Sequence, residues 1–489
     1  MPRGSVPRGR IVSMAKLLGI DIGTSGCKLL VIDELGKVLA EAASEYPLST
    51  PHPMWSEQDP EDWWTGVKTS LSKLGDIKYD AIGLTGQMHG SVFLDASDEV
   101  IRPAILWNDQ RTVKECREIE ERIGLERLLQ ITCNPPLTGF QAPKVLWLRN
   151  HEPASFERIR HVLLPKDYIR YRLTGQMATD VSDASGTGLL DVPHRNWSAP
   201  IFDDLGLDRR WFPEVLESST VAGFTKDGTP VVAGGGDQAA AATGTGSVAP
   251  GTISVSLGTS GVVFTATGPP DHDPTGAAHT FCHTNGRWHS MGVMLSCGAA
   301  LKWHRDTLCG SAGYDQLANE AASVPDTDGI TFLPYLAGER CPYNDPYATS
   351  VFGGLRVSHT RGHLTRAVFE GITFGLKDCL ELLLRLGARA NEVRVTGGGA
   401  RSSFWLQLIA DTFGLPCSTL ETDQGPAFGA ALLAGVGVGI WPNLLAACDA
   451  TVRTKSVVEP NEPQTESLHQ RYRELYCSTR DWNRSETKH

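Results

Sequence analysis

Two glycine-rich turns of identical sequence could hold a phosphate group. Residues 23–26 and residues 258–261 both have the sequence Gly-Thr-Ser-Gly, and an apolar run flanks each turn on both sides. Small residues let backbone N–H groups approach phosphate oxygens closely, and Thr and Ser hydroxyls add directed hydrogen bonds. Both turns therefore suit the phosphates of a nucleotide such as ATP, although each turn alone is also typical of an ordinary hairpin.

Two aspartates adjoin glycine turns and could supply carboxylate chemistry. Asp21 lies two residues before the first turn, and its oxygen atoms suit Mg²⁺, bound directly or through water. Asp237 follows the glycines 234–236 and precedes an alanine-rich segment, which is the position of a helix N-cap. If Asp237 faces a cleft, it could accept the proton of an attacking hydroxyl. A helix N-terminus keeps a carboxylate ionised and weakly basic, and phosphoryl transfer tolerates a weak base because positioning and charge stabilisation dominate it.

A third glycine cluster, residues 397–400, ends an apolar run and precedes a helical pattern. Three glycines would let a flat adenine ring lie against the backbone, although a tight strand-to-helix turn explains them equally well. The chain has no G-x-x-x-x-G-K-[ST] sequence, which excludes a P-loop kinase. It also has no H-E-x-x-H or comparable metal-binding pattern.

The elements that must position these residues repeat once at half the chain length. The two Gly-Thr-Ser-Gly turns are 235 residues apart, inside the strand-like segments 16–33 and 252–265. A unit repeated at this distance predicts two similar domains, each opening with a hairpin whose turn faces a shared cleft. We expect the first domain to span residues 14–250 and the second to span residues 251–489.

Helical patterns alternate with the strand-like runs. Apolar residues recur at helical spacing after Glu61, through residues 363–387, and through residues 404–413, where Gly414 is a good helix-ending residue. The apolar stripe of the first of these helices comprises Trp64, Val67, Leu71 and Leu74. This alternation of strands and helices predicts an α/β fold with central sheets.

Composition and charge exclude several classes of protein. At 489 residues, with 41% hydrophobic and 21% charged residues, the chain is long enough for two globular cores. The net charge of −11 and the lack of a long basic run argue against nucleic acid as a partner. No run of about 18 apolar residues appears, so we expect no membrane span.

The cysteines and the N-terminal sequence indicate in which cellular compartment the protein works. The eleven cysteines contain no C-x-x-C pair and are spread through apolar segments. We therefore expect reduced, mostly buried thiols in a cytoplasmic enzyme rather than disulfides or zinc. The first thirteen residues lack the apolar core of a signal peptide, and we expect the functional start near Met14.

Taken together, these segments closely resemble the FGGY carbohydrate kinases, from about Lys16 to Tyr476. Many blocks in the family's order make the resemblance specific, whereas a single glycine turn would be weak. The blocks are LLGIDIGTSGCKLLVID (17–33), PHPMWSEQDPEDWW (51–64), GQMHG (86–90), RPAILWNDQRT (102–112), APKVLWLRNHEP (142–153), LLPKDYIRYRLTG (163–175), SDASGTGLLDV (182–192), GGGDQAA (234–240), SLGTSGVVF (256–264), FLPYLAGER (332–340), GHLTRAVFEGITFGL (362–376) and GGGARSSFW (397–405).

The resemblance implies an α/β protein with two actin-like (ribonuclease-H-like) domains around a central cleft, which transfers the γ-phosphoryl group of ATP to a small sugar. By position, Asp237 corresponds to the catalytic base and Asp21 to the carboxylate associated with Mg²⁺. Asp237 and its neighbour Gln238 also count among the expected sugar-binding residues. Thr24 and Thr259 correspond to threonines that contact phosphate. The residues that correspond to the nucleotide pocket are Gly298, Gly398, Gly399 and Ala400.

The pair Met88–His89 indicates the sugar. It falls where family members that phosphorylate xylulose present Met-His to the substrate, whereas members that act on glycerol carry Arg-Glu there. Trp107 matches an aromatic residue that lines the substrate pocket in the glycerol kinases, and a core tryptophan is the alternative. Two positions depart from the family pattern. Gln238 stands beside Asp237 where many members specific for xylulose have Asn and glycerol kinases often have Gln, and Gln141 stands where the signature prefers Pro, Ser or Thr.

The expected substrate is therefore D-xylulose, with ATP and Mg²⁺. Two alternatives stay open: another kinase of the family, acting on ribulose, a different ketose or glycerol, and a non-catalytic sugar sensor built on the same domains. Asp237 argues against the sensor, because a binding module needs no carboxylate between the γ-phosphate and the sugar hydroxyl. The expected partners are the sugar and ATP, with neither nucleic acid nor membrane, and a homodimer is the assembly to test.

Overall fold

The computed structural model describes residues 14–310, 312–422, 424–461 and 466–485, so the expectation about the first thirteen residues lies outside it. The strands of the first half are β1 (Lys16–Ile22), β2 (Gly26–Asp33), β3 (Val38–Glu45), β4 (Glu57–Gln58), β5 (Ala81–Gly86), β6 (Val92–Leu94), β7 (Ala104–Ile105), β8 (His161–Leu163), β9 (Ala178–Asp180), β10 (Leu190–Asp191), β11 (Asn196–Trp197), β12 (Glu214–Leu216), β13 (Val221–Phe224), β14 (Pro230–Val232) and β15 (Gly235–Gly236). Those of the second half are β16 (Gly251–Leu257), β17 (Gly261–Thr267), β18 (Ala278–Cys282), β19 (Trp288–Met294), β20 (Thr331–Leu333), β21 (Val351–Gly353), β22 (Ala390–Thr396), β23 (Cys417–Leu420) and β24 (Thr454–Val458).

Helices alternate with these strands, and three short 3₁₀ segments (Ser185–Thr187, Arg209–Trp211 and Gly398–Arg401) accompany them. The α-helices are α1 (Pro60–Leu74), α2 (Val113–Ile123), α3 (Leu125–Thr132), α4 (Gln141–His151), α5 (Pro153–Arg158), α6 (Pro165–Thr174), α7 (Val181–Ala184), α8 (Ala199–Leu205), α9 (Asp237–Gly244), α10 (Gly298–Leu308), α11 (Tyr314–Ala322), α12 (Arg361–Arg385), α13 (Ser403–Phe413), α14 (Pro426–Gly437), α15 (Leu444–Thr451) and α16 (Glu466–Ser485).

Two sheets of seven strands share one plan. The first runs β13-β14-β5-β1-β2-β3, with β15 also paired to β5, and the second runs β18-β19-β17-β16-β22-β23-β24. In each sheet an antiparallel hairpin, β1–β2 or β16–β17, holds a Gly-Thr-Ser-Gly turn, and its first strand pairs in parallel with a later strand, β5 or β22. The predicted α/β fold and the repeated hairpin are therefore confirmed.

The central strands of the first sheet are buried because helices cover both faces. All six residues of β5 are buried, as expected for a largely apolar strand between two helical layers. Trp63 of α1 and Ile169 of α6 pack on one face of the sheet. Phe428 and Ala431 of α14 pack on the other face. Helices therefore fix the ends of β1 and β5, where the aspartate and the glycines of the candidate site lie.

Helix α14 comes from the second half of the chain but packs on the first sheet. Glycine makes this close contact possible: a Cβ atom at Gly19 or at Gly83 would collide with the α14 carbonyls of Ala427 and Ala430. Gly429 of α14 likewise lies directly against the backbone of α9. The domain boundary between residues 250 and 251 stays a prediction. The position of α14 shows that the second half of the chain contributes a helix that packs beside α9.

Two of the predicted helices match the structure closely. Helix α12 (Arg361–Arg385) contains all but the last two residues of the predicted stretch 363–387, and Gly414 ends α13 in the left-handed conformation with φ 66°. The predicted stripe on α1 faces the core, since Val67 and Leu74 are buried and Trp64 and Leu71 pack, partly buried, against the same cluster. The buried face also holds Trp63, Gly66 and Ser70, and Gly66 lets the helix approach the ring of Tyr46, 3.0 Å from where a Cβ would lie.

The thiols follow the sequence expectation of mostly buried side chains. All eleven cysteines lie in the described ranges, and they are buried except for the half-buried Cys116 and the exposed Cys477. None of the helices in the described ranges combines the length and the apolar character that a bilayer crossing needs.

Candidate active site

Strand β5 brings the two candidate aspartates to the same edge of the first sheet. Asp21 pairs with Thr85 from one side of β5, in the parallel ladder with β1. Gly235 pairs with the same Thr85 from the other side, through β15, and Asp237 begins α9 two residues later. The carboxyl ends of three parallel strands therefore place Asp21 and Asp237 close together, both partly buried.

The pKa values of both carboxyls reflect this crowding. Burial raises the pKa of Asp21 to about 7, the negative charge of Asp237 adds to the shift, and Lys28 opposes it. Burial also raises the pKa of Asp237 to about 6, against hydrogen bonds from the backbone and side chain of Gln238. Asp237 is therefore ionised at neutral pH and can accept a proton. A nearby cation would stabilise the ionised form of Asp21.

Lys28 belongs to this site, although sequence reasoning did not single it out. The hairpin is tight, with the Gly23 N–H donating to the Gly26 carbonyl over 3.0 Å. Counting outward from that turn pairs Lys28 with Asp21 across β1 and β2, so the strand period alone could have found it. Lys28 Nζ also donates to Gln424 Oε1, 2.5 Å away, from the segment that leads into α14.

Thr24 and Trp107 are linked by a direct hydrogen bond. The Trp107 Nε1–H donates to Thr24 Oγ1 over 3.0 Å, and that hydroxyl donates in turn to Gln87 Oε1 over 3.1 Å. Gln87 and Thr24 are both held by Gln58, which donates to the Thr24 carbonyl and accepts from Gln87. The Trp107 ring is 46% exposed, so it is not a core tryptophan and offers a flat apolar surface beside the first hairpin.

Met88 and His89 follow β5 and lie against the Asp237 segment. A Cβ at Gly236 would lie 2.9 Å from Met88 Sδ, so the thioether packs directly on the residue before Asp237. The His89 ring Nδ1 lies 2.8 Å from the Gly186 carbonyl. Because a carbonyl can only accept, Nδ1 carries the proton and Nε2 is the acceptor nitrogen of the ring.

His89 is held neutral and in an unusual backbone conformation. Burial, together with the positive charge of Lys144, lowers the pKa of His89 to about 3. Its φ of 67° lies in the left-handed region, which is uncommon for residues other than glycine. The buried Lys144 Nζ donates to the carbonyls of His89 and Gly139, over 2.8 and 2.6 Å. Gly186 is required here, because a Cβ there would collide with the imidazole.

The second hairpin is fixed to the start of α10. The Gly298 N–H donates to the Gly258 carbonyl over 2.9 Å, and the N–H groups of Cys297 and Ala299 donate to the Thr259 carbonyl. A Cβ at Gly298 would lie 2.5 Å from the Gly258 oxygen. Gly298 is therefore needed for close packing of the hairpin, while the side chain of Thr259 stays exposed at the turn.

The glycines of the third cluster differ in their surroundings. A Cβ at Gly399 would lie 2.7 Å from Leu257 and 2.8 Å from Trp405, so this glycine serves packing against β16. A Cβ at Gly398 would meet nothing within 4 Å, and Ala400 is partly buried against the core. Gly398 is therefore the member of the cluster whose open side could receive a flat ring.

A cavity of about 250 Å³ joins the two halves at the site. It lies between α9, the strands β16 and β17, and the segment before α14. Its walls include Gln238, Ala241, Thr245, Ser254, Ser256, Thr396 and Gln424. Of the predicted site residues, Gln238 lines this cavity. Gly398 and Ala400 line a second cavity, which shares Thr396 and Gly397 with the first. The structure brings Asp21, Asp237 and Met88–His89 together at the edge of the first sheet.

Known proteins resemble the chain over most of its length. The family model described as "FGGY family of carbohydrate kinases, N-terminal domain" matches residues 16–244, and the one for the C-terminal domain matches residues 253–438. A xylulose kinase of Escherichia coli strain K12 is 43% identical over 435 residues, which are 86% of this chain and 89% of that protein.

Solved structures also resemble this chain over nearly its whole length. The crystal structure of a "xyloylose kinase" from Brucella ovis has a TM-score of 0.90 at 40% identity and covers 96% of this chain and 100% of its own. A gluconate kinase from Lactobacillus acidophilus also reaches a TM-score of 0.90, at 27% identity, covering 96% of this chain and 98% of its own. The predicted arrangement of two actin-like domains is confirmed, and the fold by itself does not select the sugar.

Proposed function

The chain belongs to the FGGY family of carbohydrate kinases, and we propose that it transfers the γ-phosphoryl group of ATP to D-xylulose, giving D-xylulose 5-phosphate. The observation that carries the choice of sugar is the pair Met88–His89, which packs beside Asp237 and presents a neutral ring acceptor. The similarity of this chain to the xylulose kinase of Escherichia coli, over most of both chains, supports the same sugar.

The proposed chemical step needs one proton acceptor. A sugar hydroxyl attacks the γ-phosphorus, a new O–P bond forms, and the bond from that phosphorus to the bridging oxygen breaks as ADP leaves. The hydroxyl proton passes to the Asp237 carboxylate, whose pKa of about 6 keeps it ionised at neutral pH. Positioning carries most of the remaining effect, because this transfer makes little demand on basicity.

The proposed nucleotide and metal contacts divide between the two hairpins. Thr24 and Thr259 would contact phosphate oxygens, and Lys28 would add a positive charge opposite Asp21. Asp21 would hold Mg²⁺, and the fit rests on its oxygen donors and on the negative charge of Asp237 beside it. When bound, the ion neutralises charge on the phosphates.

A coupled assay of ADP release tests the substrate. We expect the highest kcat/KM with D-xylulose in a panel that also holds D-ribulose, gluconate and glycerol, each corrected for ADP release without sugar. A clear preference for glycerol or ribulose would mean that Gln238 was the better guide than Met88–His89. ADP release that no sugar accelerates would instead favour the sensor alternative.

A substitution at Gly398 tests the nucleotide pocket. Gly398→Val should raise the KM for ATP by about tenfold, because the side chain would project into the open space where we place the adenine ring. The KM for the sugar and the melting temperature should stay within error. Gly268→Val is the matched control, since a Cβ at Gly268 also meets nothing within 4 Å. Equal KM values for ATP in the two variants would contradict the proposed pocket.

Location and assembly remain proposals of their own. We place the reaction in the cytoplasm, where ATP is available and where the largely buried thiols stay reduced. A homodimer stays a prediction, which sedimentation equilibrium would test directly.

A further inference from the structure

A fully buried ionic cluster lies behind the Asp237 segment. Lys166 Nζ lies 2.6 Å from Asp167 Oδ1 and 3.0 Å from Asp180 Oδ1. It is also 3.5 Å from Asp183 Oδ2, and Arg170 pairs with Asp167 from the other side. Each of these side chains is at most 1% exposed. Because buried ions are costly unless they are paired, such a cluster holds its members in one arrangement.

A chain of hydrogen bonds leads from this cluster to the residue before Asp237. Asp180 Oδ1 contacts Lys166, and Asp180 Oδ2 accepts from the Ser182 hydroxyl over 2.6 Å. Because the hydroxyl proton is used on Asp180, the Ser182 oxygen is free to accept, and it accepts from the Gly236 N–H over 3.1 Å. Gly236 also pairs with Gly86 on β5, so the start of α9 is held from two directions.

The charge balance of the cluster depends on Asp183. Three aspartates and two cations would leave one net negative charge. Neither oxygen of Asp183 has a hydrogen-bond partner among the described residues, and burial raises the pKa of this carboxyl well above its usual range. Burial thus opposes the extra negative charge, and the cluster reaches the Asp237 segment through the hydrogen bond between Ser182 and Gly236.

We propose that Ser182, held by Asp180 and Lys166, is a positioning residue that sets where the Asp237 carboxylate stands against the attacking hydroxyl. This inference rests on the proposed role of Asp237 as proton acceptor. A general base must lie within hydrogen-bond reach of the proton it takes, and a misplacement of about 1 Å can cost about a hundredfold in rate. Ser182 acts through the Gly236 amide and not by touching the substrate.

Two serines allow a matched test, because both donate to Asp180 Oδ2 and both are fully buried. The hydroxyl of Ser218 donates over 2.8 Å, that of Ser182 over 2.6 Å, and Ser182 in addition receives the Gly236 N–H. We expect Ser182→Ala to lower kcat by about 10- to 100-fold, with the KM values for ATP and sugar within about twofold. Ser218→Ala should keep kcat within about threefold, although both variants lose a buried hydrogen bond and a similar amount of thermal stability.

Hydrogen exchange gives a direct second measurement. In Ser182→Ala the segment 236–238 should exchange faster than in the unaltered protein, whereas in Ser218→Ala it should keep its protection; Gly234 is left out of the comparison because its N–H donates to the Ser218 carbonyl. If Ser182→Ala does not fold, Ser182→Cys provides the same comparison with a weaker acceptor of similar size. Equal kcat values in the two serine variants, or an unchanged kcat in Ser182→Ala, would overturn the proposal.

The outcome can be separated from a failure of the proposed function. An inactive Asp237→Ala protein together with a fully active Ser182→Ala protein refutes the positioning role alone. An active Asp237→Ala protein refutes the assignment of the base, whichever result the serine variants give.

Discussion

Asp237→Ala should lower kcat by about 10²- to 10⁴-fold while the affinities for ATP and sugar stay within about tenfold. The carboxylate begins α9 beside Asp21, and its pKa of about 6 makes it the ionised acceptor at neutral pH. Most of the proposed binding contacts lie elsewhere, on the two hairpins, at Gly398 and on Met88–His89, so binding should largely survive the change. Coupled ADP release at saturating substrates gives kcat, and titration calorimetry gives the two affinities.

The control for this variant is an aspartate of the same domain outside the cleft. Asp203 is exposed on α8, and Asp203→Ala should keep kcat within about twofold, as is usual for surface substitutions. A near-normal turnover rate in Asp237→Ala would refute the assignment of Asp237 as the base. A parallel collapse of ATP binding would point instead to a structural role for the start of α9.

The second large effect concerns the sugar. His89→Ala should lower kcat/KM for D-xylulose by about 10- to 100-fold, because a sugar hydroxyl loses its ring acceptor in a partly buried site. The KM for ATP should change by less than about twofold, since the proposed phosphate contacts lie on the hairpins. Initial rates with each substrate varied in turn separate the two constants.

Backbone strain needs its own control, because His89 has a φ of 67°. Asn tolerates the left-handed region better than Ala does, so His89→Asn removes the ring with less strain. Both variants should lose sugar use to a similar extent if the ring is what matters. A loss in the Ala variant alone would assign the effect to the backbone, and an equal loss of ATP use would contradict a sugar contact.

Much of the fold follows from neighbouring residues. Two copies of Gly-Thr-Ser-Gly between apolar runs predict two hairpins, and Gly414 predicts the end of α13, because turn and cap preferences depend on a few adjacent residues. The pairing of Lys28 with Asp21 was also within reach, since it needs only the strand period counted from the turn. The half-length repeat then predicts two similar sheets.

The sequence is a poorer guide to which face of a helix is buried. The periodicity of α1 is real and its apolar stripe packs on the core, but the stripe does not include Gly66 and Ser70, which are also buried. Gly66 and Ser70 contribute little to hydrophobic periodicity. They face the core because their small side chains allow α1 to lie close to Cys27 of the first hairpin. Apolar spacing weighs large side chains, whereas close packing selects small ones.

By itself, then, the sequence determined the local units of this protein: the two hairpins, the glycine turns that end strands, and the aspartate that follows one of them. The tertiary structure alone decided which distant residues support them. Trp107 reaches Thr24 across 83 positions, and Ser182 reaches Gly236 across 54. The physical reason is that turns and caps are stabilised by residues a few positions apart, whereas a hydrogen bond between remote segments exists only after packed helices and sheets have brought its donor and acceptor together.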